Sequence, residues 1–273
     1  MQQKFQPPSP APQIQGVLEA VSAGQLTVEQ ALERLSHDQT VAIDNATVDI
    51  GRASRCRFGE VIYGEGKSPA LITSIARTQL DRSQNALVTR LNQVDAAAIC
   101  ESFEHTYYHH LARTLRIGSS PVPLAVKLLN ERNIKRPLVA VVTAGSTDAP
   151  VAAEALQTLA WMNVATIEFT DIGVAGPQRL LAAVPRLRQA AVVVVVAGME
   201  GALPSALGGH LPCPIIAVPT SVGYGSCFGG ITALLGMLSS CASNVTVVGI
   251  DAGFKGGYVA GLIATQLEEA FAV

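Results

Sequence analysis

Five apolar runs in the second half of the chain, at 138–143, 164–169, 191–196, 214–219 and 245–250, constrain the fold more than any other feature. They recur roughly every 23 to 31 residues. Helix-like segments lie at 151–162, 179–187 and 228–240, with another at 258–271 after the last run. Each run is continuously apolar, as expected of a strand buried on both faces, so helices must cover both sides of a parallel sheet. The expected fold class is therefore α/β, a three-layer parallel sheet with helices on both faces. Such sheets take ligands outside the carboxyl ends of their strands. Small or polar residues follow each run there, at 144–148, 170–174, 197–201, 220–224 and 251–254, and these five loops are expected to converge on one cleft.

The front of the chain has no such period. Residues 1–13, rich in Pro and Gln, offer too few apolar partners to offset the entropy of ordering and are expected to be disordered. Segments 14–21 and 28–35 read as a helical hairpin, with Gly24 ending the first helix and Thr27 capping the second. Residues 41–67 are polar and turn-rich. Pro69 then opens a helix through Leu80, because proline at the first helical position gives up no needed donor. Another element is expected at 86–89, a strand at 94–100, and a short helix or basic-aromatic segment at 107–115. The expected organisation is a lead over 1–13, a smaller α+β domain over 14–120, and an α/β catalytic domain over 121–273.

Composition excludes several classes. Nineteen basic residues against 21 acidic ones leave a formal charge of -2, and no Lys/Arg block marks a nucleic-acid partner. The N-terminus lacks the apolar core of a signal peptide, and the most apolar run, 190–197, falls far short of the ~20 residues of a membrane span. The 5 cysteines are odd in number, widely spaced and free of C-x-x-C pairs, which suits reduced thiols in the cytoplasm.

Ser146, Thr147 and Asp148, between a strand and a helix, could hold a phosphate or carboxylate, or could simply cap the helix. Neither GxGxxG nor GxxxxGK[ST] occurs, which disfavours a standard dinucleotide domain or P-loop. Glu200 is the one charged side chain between Arg188 and Asp251 and sits on a glycine-flanked turn after a strand. It could activate water, abstract a proton or bind a metal, the alternative being a salt bridge or backbone clamp. The loop from Thr220 through Ser221, Gly223, Tyr224 and Gly225 is glycine-rich and feeds a helix, which suits close approach to a ligand or an ordinary connection. Cys241, at a helix carboxyl end, reads as either a small core residue or a nucleophile. Asp171 and Asp251, at strand tips, could orient a ribose, hold Mg²⁺ or cap loops. Arg52, Arg55, Arg57 and Lys67 form a basic group suited to anions or to a solvated surface. His105, His109 and His110 lack the partners of a metal set.

The segments AGMEGALPS, TSVGYG, SSCA and IDAGF resemble the LarB family, pyridinium-3,5-biscarboxylic acid mononucleotide synthases that begin synthesis of the nickel-pincer nucleotide cofactor. The likeness runs from about 138 to 260 and more loosely through Asp49, Arg52, Arg55, Glu60, 64–67 and 89–90. The C-terminal part is similar to the aminoimidazole ribonucleotide carboxylase fold, which forms octamers. The resemblance implies carboxylation of nicotinic acid adenine dinucleotide at ring C5 with CO₂ or bicarbonate, and phosphoanhydride cleavage releasing AMP. It implies Cys241, Glu200 and Asp148 as catalytic residues, and Arg179 among those binding substrate. Mg²⁺ is the expected cofactor, with no tightly bound organic one, and a homo-octamer the expected assembly. The chain departs from the family pattern at Arg57, Gly59, Pro177, Gln178 and Ala252 and has SSC for N-S-C; Gln178 stands where a titratable His is usual. An aminoimidazole ribonucleotide carboxylase and a non-catalytic nucleotide-binding module are the alternatives.

Overall fold

The computed structural model describes residues 12–37, 39–124, 126 and 136–272. The expected disordered lead falls outside the described residues up to position 11, and its last two residues already belong to a helix. That helix, α1 (Pro12–Ser22), packs with α2 (Val28–His37) as the expected hairpin. Gly24 takes a left-handed φ of 70° at the turn. Thr27 and Gln30 cap each other reciprocally, at 3.2 and 2.9 Å.

Residues 41–67 hold more structure than their polar composition suggests: a hairpin of β1 (Val41–Ile43) and β2 (Ala46–Val48), a short α3 (Arg52–Cys56), and β3 (Ile62–Tyr63). Helix α4 (Pro69–Leu80) begins on Pro69 as expected, and Ser68 Oγ accepts the Leu71 amide. It leads into β4 (Ala86–Thr89).

Two expectations fail in the next stretch. Residues 94–100 belong to a helix, α5 (Gln93–Cys100), not a strand, because Asn92 Oδ1 caps the Asp95 amide at 2.9 Å and Ala96 and Ile99 turn inward together. The 107–115 region is neither a helix nor an irregular segment but most of an antiparallel hairpin, β5 (His105–His109) and β6 (Thr114–Gly118), with Tyr107 opposite Arg116. Its aromatic and β-branched residues alternate sides, so Leu115 and Ile117 enter the core while Arg116 faces the other way. The sheet order is β3-β4-β6-β5, with β3 and β4 parallel and the other pairs antiparallel.

The back half is the expected parallel sheet flanked by helices. In chain order it runs β7 (Leu138–Thr143), α6 (Ala149–Trp161), β8 (Ala165–Phe169), α7 (Pro177–Leu187), β9 (Val192–Ala197), α8 (Leu203–Gly208), β10 (Ile215–Pro219), α9 (Ile231–Leu238), β11 (Val245–Val247) and α10 (Gly253–Ala272). The five strands lie in the order β11-β10-β9-β7-β8, every pair parallel. Helices α7, α8 and α9 cover one face through Leu180, Leu203, Leu207 and Met237. Helices α6 and α10 cover the other through Ala152, Leu159, Ala260 and Ala264. Helix α8 was not expected, and β11 is shorter than the apolar run that announces it.

Glycine allows α10 to lie close on α6. A Cβ at Gly257 would sit 2.7 Å from the Ala155 carbonyl oxygen, and one at Gly261 would sit 2.5 Å from Met162 Sδ. These glycines are therefore used within the chain. The smaller sheet docks on α6, with Trp161 Nε1 donating to Asn85 O at 2.9 Å, and the segment after α3 meets α10, where Arg57 pairs with Glu269 at 2.8 Å. Among the described residues no helix is long and apolar enough to cross a membrane.

Candidate active site

Asp148 lies beyond the carboxyl end of β7 and is 3% exposed. Its Oδ2 accepts the Gly145 amide at 2.9 Å and its Oδ1 accepts the Thr220 hydroxyl at 2.8 Å, while the Gly198 amide also turns to it. One carboxylate thus joins the loops after β7, β9 and β10. Burial pushes its pKa up, against the pull of these hydrogen bonds.

Beside it, the turn after β11 carries Asp251 at a left-handed φ of 54°. Asp251 Oδ1 accepts the Ser221 amide at 2.8 Å, and its carbonyl accepts Arg90 Nη2. Arg90 comes from the smaller sheet, just past β4. Its Nε is 3.4 Å from Oε1 of Glu154, which is 4% exposed on α6 and whose Oε2 accepts the Phe254 amide at 3.0 Å. Burial raises the Glu154 pKa and the neighbouring Arg90 charge lowers it less, leaving it up. Arg90, Arg113, Thr147, Glu154, Ser221 and Asp251 border a cleft of about 250 Å³ between the two sheets. Of the five strand-end loops expected to converge, those after β7, β10 and β11 line it.

Thr220 is fully buried, holding Asp148, whereas Ser146, Thr147, Ser221, Gly223, Tyr224 and Gly225 are exposed. Gly223 has φ 156° and no room for a side chain, since a Cβ would lie 2.4 Å from Cys227 Sγ. Asp171 and Arg179 pair with each other away from the cleft lining. The front basic group is not gathered over the cleft. Arg55 grips Asp49 in a two-pronged pair at 2.8 and 2.7 Å, Lys67 donates to the Tyr63 carbonyl at 2.8 Å, and Arg52 reaches the Tyr258 phenol.

Glu200 is exposed on the turn after β9, and its side chain has no hydrogen-bond or ion-pair partner among the described residues. The salt bridge or clamp offered as its alternative role is absent there. Cys241 is an exposed free thiol just past α9. The nearby Asn244 carbonyl accepts the amide of Ile215, the first residue of β10, so Cys241 lies toward the amino ends of the strands and Asp148 toward the carboxyl ends. One chain does not bring Cys241 and Asp148 together. No group of three His, Cys, Asp or Glu side chains able to hold a metal occurs among the described residues.

The sequence reading missed Arg113 and Glu154 and quoted Arg90 only within a motif. Glu154 carried a usable signal, a single charge in the apolar helix APVAAEALQTLAW, the same logic that singled out Glu200. Arg90 and Arg113 owe their positions to left-handed turns, φ 55° and 52°, that nothing in the local sequence announces.

The site is thus built on a parallel α/β domain with buried carboxylates at its strand ends, completed by an arginine from a smaller docked sheet. Comparison with known proteins assigns this architecture to a family of the carboxylase or mutase type. A LarB/PurE-like N-terminal domain model matches residues 40–119 and an AIR carboxylase model matches residues 138–271. The uncharacterized protein MJ0165 of Methanocaldococcus jannaschii is 38% identical over 219 residues, spanning 80% of this chain and 83% of that protein. The chain belongs to the LarB/PurE family. Crystal structures of a PurE2 variant and of PurE from Treponema denticola are similar at TM-scores of 0.40, with 17% and 18% identity, each covering 50% of this chain and 82% of the other.

Proposed function

We propose that this chain carboxylates nicotinic acid adenine dinucleotide at pyridinium C5 and cleaves its phosphoanhydride, releasing AMP and pyridinium-3,5-biscarboxylic acid mononucleotide. The observation that carries this reading is that Cys241 and Glu200, which match the LarB motif positions, are both exposed and structurally unemployed. Neither is retained for packing.

The thiolate of Cys241 adds to ring C4, and the ring nitrogen takes up the electron pair, leaving an enamine nucleophilic at C5. C5 bonds to the carbon of CO₂. Loss of the C5 proton to a carboxylate and departure of the thiolate then restore the aromatic ring. A helix carboxyl end disfavours a thiolate, so the cationic ring must supply the stabilising charge. Asp251 keeps one carboxylate oxygen free of hydrogen bonds from the described residues and would hold Mg²⁺ arriving on the substrate's phosphates. When bound, that ion neutralises phosphate charge.

Because Cys241 and Asp148 lie toward opposite ends of one sheet, the reading also requires an assembly, proposed as eight chains, in which α9, the helix that leads to the thiol, faces another copy. The exposed row Ile231, Leu235 and Leu238 on α9, beside exposed Phe228, supports such a contact. Light scattering of the purified protein should give the eight-chain mass; a stable monomer would remove this part.

The test supplies wild type and Cys241→Ser with nicotinic acid adenine dinucleotide, Mg²⁺ and labelled bicarbonate, following ring-bound label by mass spectrometry and AMP by chromatography. Wild type should yield both products and Cys241→Ser no labelled ring. Glu200→Gln should lose about 10²- to 10⁴-fold in turnover. Label entering aminoimidazole ribonucleotide and not the dinucleotide would instead support the purine-type reading, which the AIR carboxylase match over 138–271 favours. Dinucleotide binding without either product would make the chain a binding module.

A further inference from the structure

At the end of α6 remote from the cleft, a second cavity of about 250 Å³ opens between the two sheets. Its walls are Asn85, Arg116, Ile117, the 120–123 turn, Ala160, Trp161 and Asn163. Arg116 is 2% exposed, yet only Nη1 is used, donating to the Pro123 carbonyl at 2.9 Å. Nε and Nη2 have no hydrogen-bond partner among the described residues, and these two nitrogens form the side-on fork with which a guanidinium grips a carboxylate through parallel bonds.

Among the described residues no acidic side chain lines the cavity or pairs with Arg116. Its neighbour is the Tyr107 ring, 5.0 Å from the guanidinium carbon. Burial pushes the Arg116 pKa down but leaves a group this basic charged. A cation so enclosed without a counter-charge is costly, and removal from water is offset only by an anion with matching geometry. Gln157 Oε1 and Thr114 Oγ1, on the elements that meet there, are also unpartnered. Both are neutral, so no rearrangement among the three supplies the missing charge.

We propose that this cavity binds a small organic carboxylate with a flat apolar body, its carboxylate on the Nε/Nη2 fork of Arg116 and its body against Trp161, Ile117 and the 120–123 turn. The indole and the Pro121 and Pro123 rings provide apolar walls, and the amides of Asn85 and Asn163 lie at the rim. Both fork nitrogens are shielded from solvent as they stand, so binding requires the guanidinium to turn about its terminal torsions from its present bond to the Pro123 carbonyl. The site is separate from the cleft, which α6 meets at Pro150, Val151 and Glu154. At ~1.5 Å per residue the two cavities are on the order of 15 Å apart along that helix.

The chain supplies its own reporter, since Trp161 is its one tryptophan and lines the cavity. Titrating the full chain with benzoate at constant ionic strength should change Trp161 fluorescence saturably and raise the melting temperature. Benzamide, of the same shape but neutral, should do neither. Arg116→Met should weaken the benzoate response more than tenfold. Arg116→Lys, which keeps the charge but loses the fork, should weaken it as well and serves if the methionine variant does not fold. Equal responses to benzamide, an unchanged titration in both variants, or no saturable signal in wild type would overturn the proposal. Inorganic phosphate matching benzoate in affinity would overturn the carboxylate assignment. No readout depends on turnover, so failure here is distinct from failure of the proposed reaction.

Discussion

The two sheets use their faces differently. In the five-stranded sheet every residue of β7, β9 and β10 is buried, because helices cover both sides. The four-stranded sheet turns one face to its own helices α4 and α5, through Ala86, Val88, Leu115 and Ile117. Its other face carries Arg116, and its strand-end turns carry Arg90 and Arg113. The larger sheet is thus a nearly uniform apolar frame, and the smaller one brings charge to the junction between them. Both cavities described above lie at that junction, one at each end of α6.

The sharpest way to break this comparison is at α5, where the smaller unit's core depends on helical and not strand geometry. Ala96 and Ile99, three residues apart, are both buried while Val94 is 80% exposed, an arrangement set by the helix because a strand would put 96 and 99 on opposite faces. Ile99→Ala should cost about 3 kcal/mol in urea unfolding and Val94→Ala less than about 0.5 kcal/mol. Comparable costs at the two positions would overturn the packing of α5.

The same contrast explains what was legible in the sequence. A strand buried on both faces must be apolar throughout, so the runs at 138–143 and 191–196 revealed β7 and β9 almost to the residue. At 94–100, alanines left the strand and helix periods nearly indistinguishable, and the deciding signal was Asn92 as a cap. At 107–115, the adjacent tyrosines belong to a strand, HTYYH, that is half-buried at every position, so no inside-outside alternation marked the hairpin. Of the candidate site, Asp148, Thr220, Ser221 and Asp251 were readable as strand-end residues. Glu154 stood out only as the lone charge of its helix, and its pairing with Arg90 was not readable, because a contact between distant segments leaves no local period.

A smaller effect tests whether the glycines of α10 serve this chain or a neighbour. Gly257→Ala places a Cβ 2.7 Å from the Ala155 carbonyl oxygen and 3.0 Å from its Cα, both backbone atoms that cannot yield as a side-chain tip does. Partly offset by the better helix propensity of alanine, the loss should be about 2 kcal/mol. Unchanged unfolding with a lower assembly mass would move these glycines to an interface between copies.

The junction itself is probed by Arg90→Met, which leaves the Glu154 carboxylate buried beside no cation. Removing one member of a buried pair typically costs 3 to 5 kcal/mol, but Arg90 is partly solvated, so about 1.5 kcal/mol is expected. Adding Glu154→Gln should recover most of it, since an amide needs no counter-charge. A double-mutant cycle with no coupling would show that the smaller sheet docks without this contact.

The smallest effect is one of pH, and it sharpens the same point because it reads Glu154 through its proton. Burial holds its pKa above the ordinary glutamate value of about 4.3, with Arg90 opposing only in part. The folded chain therefore binds this proton more tightly than the unfolded chain does. Its contribution to stability is fully present below the unfolded value and is lost as pH rises through the raised folded value. Asp148 carries the same sign for the same cause. Glu154→Gln deletes only the first of these, so its melting temperature relative to wild type should improve steadily from about pH 4 toward pH 7, while the Asp148 contribution remains in both proteins. A gap that moves the other way would mean that Arg90 outweighs burial and holds Glu154 ionised. The cleft would then contain a fixed ion pair, not a carboxyl poised to take up a proton.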